Sequence, residues 1–507
     1  LLGGLASCTE ASSPGTGGSS PTETGDGRGA SAGHTLATGG SSGGSPPMGT
    51  AATEPGGRSS NEGGGDAAGG RSALGGRSSS PGGGRTQAGG AGSAGALITG
   101  GTWPGSRGTG GSSGVSSGGV AGSSSADASA EIYDPTQLPR FDIELSDASI
   151  KALNAVVSDA DPKQNEYVHA SLRYRNELMA DVGLRIKGEG SFRRLDKKTA
   201  FKLKIDEYVD QQSFHGLRRL TLNNMVEDPS FLAERLAYDL YRAAGLPAPR
   251  CNSALVYVNG DFYGVYANVE AEDKTFLSRW FASNAGNLYE EGQADFVTGA
   301  ELAFDLETNE TANDRRGLEA LIAAVQSAPQ ATFLADIDGS LNTQHFLRFT
   351  AAEAAVNQWD MYSYTMFYPN NFRLYENPSD RRFVFLPWGM DMSMKPFRDS
   401  GRPHLSVFGI ARQGDSKNGS ISAGILFRKC LDSPACKAAY AEEVRQIAEV
   451  YEQADLGSVA GRYYAQIKAS VQADPRKEYT NAQFEQGYQV LLKTISERPA
   501  ALRADID

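Results

Sequence analysis

The first 130 residues contain no phenylalanine and no tyrosine, and only a handful of Leu, Ile and Val. A stretch so poor in apolar side chains cannot bury enough surface to offset the entropy of ordering itself. Residues 9–130 therefore read as a disordered Gly/Ser tether. Runs such as "GGRSSNEGGG" recur in it, but no unit carries a hydrophobic face to stack, so a solenoid is excluded. Beyond the first residues no apolar run is long enough to cross a bilayer. Histidine is scarce: His34, His169, His215, His345 and His404 form no pair with metal-ligand spacing, which argues against a zinc enzyme. Positive charge is also short. Lys and Arg number 48 against 60 Asp and Glu, a net charge of −12, and nearly all of the imbalance falls after residue 130. An acidic fold of this kind argues against nucleic acid as a partner.

Cysteine is the last scarcity, with four in the chain. Cys8 ends Leu5-Ala6-Ser7-Cys8, which resembles a bacterial lipobox, and the tether follows at once. Residues 1–8 are thus read as the end of a lipoprotein signal, with Cys8 lipidated. Thr9 supplies no acidic retention signal, so the expected location is exported and lipid-anchored, at the outer membrane or cell surface. The lipid would be the only link to a membrane. Cys430 and Cys436, in "RKCLDSPACKAAY", have the spacing of a local disulfide in an oxidising compartment. Cys251 remains as a buried free thiol.

From residue 131 the composition is globular. "DVGLRIKG", "AFKLKID" and "LRRLTLNN" alternate with the period of strands. Asp228-Pro229 opens a helix over "SFLAERLAYDLYRAAG", with Asp228 as N-cap. "ALVYVNGDFYGVYANVE" is a hairpin turning at Asn259-Gly260. Later, "RRGLEALIAAVQSA" and "TQHFLRFTAAEAAVNQ" read as amphipathic helices, and "FVFLPWGMD" as a strand ending at Asp391. "RDSGRPHLSVFGIARQGDSKNGS" reads as a long polar loop. A β-rich lobe of about 131–275 followed by a helical lobe of about 276–507 gives the α+β class.

Asp391 lies among Trp388, Met390 and Met392, where an unpaired carboxylate is costly. A nucleotide between the lobes would account for it. Such a ligand needs a Gly-rich loop, a strand lysine, a helix glutamate to hold that lysine, and oxygen ligands for a metal. Gly188, Gly190 and Ser191 supply the loop. Lys198 and Lys202 are the lysine candidates, and Glu234 lies on the next helix. Asp360, Asn371 and Asp391 follow in order.

"GEGSFRR…KKTAFKLKID", "FHGLRRLTLNN", "FLAERLAYDL", "VYVNGDFYGVYANVEAEDKTFL", "NQWD…NNFRLY" and "RRFVFLPWGMDMSM" together resemble the spore coat protein H (CotH) kinase family, collinearly over nearly all of 131–507. The resemblance implies a divergent protein-kinase-like, two-lobed fold that binds ATP with Mg²⁺ or Mn²⁺. It also implies Ser/Thr phosphorylation of a secreted or surface protein. Carried over by position, Lys202 or Lys198 would contact phosphate and Glu270 would lie near the adenine. Asp360 would be the catalytic base, and Asn371 and Asp391 would bind metal. Many relatives carry a second acid where this chain has Gly389. If that acid is the essential ligand, the alternative is a catalytically inactive surface binding protein; because kinase-like folds host more than one reaction, a further alternative is an ATP-dependent adenylyl or carboxylate-activating transferase.

Overall fold

In the computed structural model the described residues run from Asp127 to Asp507, without 292–293, 366–367, 397–403 and 409–423. Cys8, nearly all of the tether and most of the long polar loop lie outside them. The N-terminal part is a closed seven-stranded barrel. Its strands are β1 (Arg140–Leu145), β2 (Val168–Tyr174), β3 (Glu177–Lys187), β4 (Ala200–Lys204), β5 (Arg219–Asn223), β6 (Cys251–Val258) and β7 (Asp261–Val269). They follow the order β1-β2-β3-β4-β5-β7-β6, and a parallel pairing of β1 with β6 closes the ring.

The strand period decides what fills the barrel. Leu184, Ile186, Phe201, Leu203, Leu220 and Leu222 are buried inside. Arg185, Lys187, Lys202 and Thr221 consequently share the outer face, with Arg185, Lys202 and Thr221 directly in register. The hairpin turns at Asn259 (φ 49°) and Gly260 (φ 88°), the two positive values that a type I′ turn demands. The Asn259 side chain then binds both the N–H and the C=O of Leu145, tying the turn to β1.

Between β1 and β2 lies helix α1 (Asp147–Asn154), and between β5 and β6 lies α2 (Ala233–Ala243). The helical stripe of α2 buries Leu236 and Leu240. Asp228 caps it from farther away than the sequence implied. One carboxylate oxygen takes the Ala233 N–H at 2.8 Å and the other takes Ser230, so the chain makes an extra turn before the helix starts.

The C-terminal part holds more sheet than the expected helices with one stranded insertion. It contains a four-stranded antiparallel sheet of β8 (Leu288–Glu291), β9 (Phe304–Leu306), β10 (Phe372–Glu376) and β11 (Phe383–Pro387), in the order β11-β10-β8-β9. Helices α3 (Lys274–Trp280), α4 (Arg316–Ser327), α5 (Phe333–Ile337) and α6 (Thr343–Ala355) are interleaved with these strands. Helices α7 (Ile425–Asp432), α8 (Pro434–Gln453), α9 (Leu456–Gln472) and α10 (Asn481–Ile506) complete the chain. Phe346, Phe349, Tyr362, Phe372 and Phe385 form an aromatic core between sheet and helices. The architecture is α+β, β-rich first and helix-rich second. A Cys430–Cys436 disulfide joins α7 to α8, and Cys251 is a buried free thiol. Among the described residues no helix is long and apolar enough to cross a membrane.

Candidate active site between the barrel and the second sheet

Lys187 ends β3. Because Ile186 points into the barrel, Lys187 points out of it. Its ammonium donates to Asn223 Oδ1 at 2.6 Å, and Asn223 Nδ2 donates to both carboxylate oxygens of Glu234 at 2.9 and 3.0 Å. An amide therefore relays between the lysine and the helix glutamate. Glu234 is fully buried, and burial together with the nearby negative charge of Asp391 pushes its carboxyl up to about 8. Burial pushes the Lys187 ammonium down, while Glu234 and Asp391 pull it back up. One cation is thus shared by two acids, Glu234 on α2 and Asp391 on the segment packed against α2.

Asp391 does not end a strand. It lies on a short 3₁₀ turn, Met390–Met392, entered through Gly389 at φ 59°. Only glycine fits there without strain, and space forbids a side chain as well. A Cβ at residue 389 would fall 2.1 Å from Asn371 Oδ1. Asn371 thus holds the room that an acid at 389 would need. Its amide donates to Asp360 twice, to Oδ2 at 3.0 Å and to the backbone oxygen at 2.6 Å. With Nδ2 so engaged, Oδ1 is turned toward the Asp391 turn.

Asp360 follows α6 on a loop held from beneath. The Gln358 side chain, fully buried, accepts the N–H groups of Trp359 and Asp360 at 3.0 and 3.3 Å and donates to the Gly389 oxygen at 2.9 Å. That residue couples the Asp360 loop to the Asp391 turn. Glu353, the last acid of α6, accepts the N–H groups of Ser363 and Tyr364 at 2.7 and 3.0 Å. Burial and the charge of Asp391 raise the Asp360 carboxyl; Asn370 and Asn371 restrain it.

These groups fit a small hard cation. Mg²⁺ takes one or two carboxylates and fills its shell with water and phosphate oxygens rather than with an all-protein cage. Asp391, Asp360 and Asn371 Oδ1 offer that kind of set. Among the described residues no cluster of three His, Cys, Asp or Glu forms a complete cage. Above the cleft, Gly188 at φ 122° is a required glycine, since a Cβ would meet Phe192 N at 2.9 Å, whereas Gly190 faces open space. Asn224 holds this loop, donating to the carbonyls of Ser191 and Lys198 at 2.9 and 2.7 Å.

Three sequence assignments change. Lys198 is fully buried and paired with Asp474 of the α9–α10 loop, with a further bond to the Tyr263 oxygen at 3.2 Å. It fastens the C-terminal helices to the barrel and cannot reach a phosphate. Lys202 faces the cleft but belongs to the neighbourhood of Glu290 and Arg373, not to that of Glu234. Glu270 is buried, with its oxygens taken by Arg250 (Nη2 to Oε1 2.7 Å) and by Arg279, so none is left for a base. Lys187 and Gln358 escaped the sequence reading, and Asn223, which that reading assigned with Asn224 to a turn, ends β5. Lys187 had a signal, as the outward residue immediately before Gly188. The two amides had none.

Residues 184–502 match the family described as CotH kinase protein. The chain belongs to that family. It is 22% identical over 382 residues to the inner spore coat protein H of Bacillus subtilis, covering 73% of this chain and 97% of that protein. It is also 22% identical over 287 residues to the invasin CotH2 of Rhizopus delemar, covering 52% of this chain and 45% of that one. Among solved structures, the Helicobacter pylori proinflammatory kinase CtkA aligns over 70% of this chain and 96% of its own, with a TM-score of 0.30 and 10% identity.

Proposed function

We propose that the chain is an exported, lipid-anchored protein kinase that transfers the γ-phosphoryl group of ATP to a Ser or Thr hydroxyl of a secreted or surface protein. The observation that carries this reading is the convergence across one cleft of the Lys187–Asn223–Glu234 relay and the Asp360–Asn371–Asp391 set. Bound Mg²⁺ or Mn²⁺ would supply charge neutralisation for the triphosphate, held by Asp391 and by Asn371 Oδ1. Lys187 orients phosphate oxygens, and the Glu234 relay fixes Lys187. Asp360 accepts the proton of the attacking hydroxyl as the new oxygen–phosphorus bond forms and the bond to ADP breaks. Asn371 keeps the Asp360 carboxylate turned to that task. The lipobox at Cys8 and the long tether support the anchored, surface-facing placement.

The test is intact-protein mass spectrometry after incubation with ATP and Mg²⁺ or Mn²⁺, alone and with a basic protein acceptor. A phosphate-sized addition is expected with the wild type and is lost in Asp360→Asn and Asp391→Asn, with unchanged circular dichroism. Full activity in both variants would refute the assignment. A nucleotide-sized addition would instead establish adenylyl transfer. Absence of metal-dependent ATP binding would leave a surface binding protein.

A further inference from the structure

Lys202 is a cation of the cleft that the phosphate end does not use. Strand alternation turns it out of the barrel between the buried Phe201 and Leu203. Its ammonium has no hydrogen bond and no ion pair among the described residues, although burial, reinforced by Arg373, pushes it down to about 7. The acids nearest to it are already engaged: Glu290 accepts from Arg373 at 2.8 Å, and Glu307 pairs with Arg219 at 3.7 Å. Its cross-strand neighbour is Thr221, whose hydroxyl is buried and also without a partner. Two unmet donors therefore stand side by side on one face. Thr221 is in turn paired with Val269, the last residue of β7 before the chain crosses to the second sheet. Lys187 is two residues along β3 from Arg185, the partner of Lys202, which is about 7 Å toward the metal-binding end.

The ligand group that satisfies both donors has to accept hydrogen bonds. It need not carry charge, because the cations Arg373 and Arg185 and the acids Glu290 and Glu307 around Lys202 offset one another. We infer that Lys202 and Thr221 read the nucleobase, donating to ring-nitrogen or carbonyl acceptors on the base of the nucleotide whose phosphates meet Lys187. The inference rests on the kinase reading above. It makes Lys202 a specificity-determining residue rather than a phosphate contact, and it makes the base end of the cleft a polar recognition surface.

The test is isothermal titration calorimetry of the full chain with ATP and with inorganic triphosphate, each in Mg²⁺, for the wild type, Lys202→Met and Thr221→Val. Lys202→Met is expected to weaken ATP about tenfold or more, the scale of one charge-assisted hydrogen bond, and to leave triphosphate unchanged. Thr221→Val should give a smaller loss, again for ATP alone. Retained triphosphate binding also shows that each variant is folded. Equal losses on both ligands would place Lys202 on the phosphates and overturn the inference. Unchanged ATP affinity in Lys202→Met would overturn it too, while the kinase reading stands. A wild type that binds neither ligand would overturn both.

Discussion

Replacing Glu353 by Gln isolates the energetics of the group beneath the Asp360 loop. Glu353 is fully buried, and one of its oxygens accepts two backbone N–H groups while Oε2 has no partner. Burial raises its carboxyl from the ordinary 4.5 to about 8. Below pH 4.5 the folded and unfolded states both hold the proton and the group is neutral to stability. Between 4.5 and 8 the folded chain keeps the proton and the unfolded chain has lost it, so stability falls as pH rises. The slope approaches about 1.4 kcal/mol per pH unit, which at pH 7.5 amounts to at most about 4 kcal/mol. Glutamine preserves the oxygen that accepts the Ser363 and Tyr364 amides and does not titrate. Glu353→Gln should therefore match the wild type near pH 4.5 and melt several degrees higher at pH 7.5, with phosphoryl transfer retained. Thermal unfolding followed by circular dichroism from pH 4.5 to 8 measures it. Parallel wild-type and variant curves across that range would refute the argument, because they would mean that Glu353 is not held protonated.

Lys187→Met leaves Glu234 and Asp391 facing one another without their shared cation; phosphoryl transfer should fall by about 10² or more while Lys198→Met, which disturbs only the buried pair with Asp474, destabilises the fold instead, as a radiolabel assay paired with thermal melts would show. Gly389→Ala forces both a positive φ and a 2.1 Å contact onto Asn371 Oδ1, so the apparent affinity for Mg²⁺ should weaken about tenfold or more, read as activity against metal concentration. An unchanged metal dependence would show that Asn371 Oδ1 is not a ligand.

Much of the barrel was legible because its code is local. Alternation in "GLRIK" and "AFKLK" sets which residues fill the interior, and Asn259-Gly260 sets the turn, each within a few neighbouring residues. The second sheet was not legible as a sheet. β8 and β9 are four and three residues long, and β8 pairs with β10 across α4, α5 and α6, a distance no local pattern spans.

The sequence by itself determined the Gly/Ser-rich composition before residue 131, the acidic globular part and the α+β class, and it offered Asp360, Asn371, Asp391 and Glu234 as candidates. Composition and collinear motifs carry that information along the chain. The tertiary structure alone decided which lysine faces Glu234. Lys187, Lys198 and Lys202 are chemically equal in sequence. Folding buries Lys198 against Asp474, 276 residues away, directs Lys202 to Glu290 and Arg373, and leaves Lys187 to Asn223. Burial and charge depend on what lies nearby in space, and only the closed barrel, docked on the second sheet and on α9, brings those partners together.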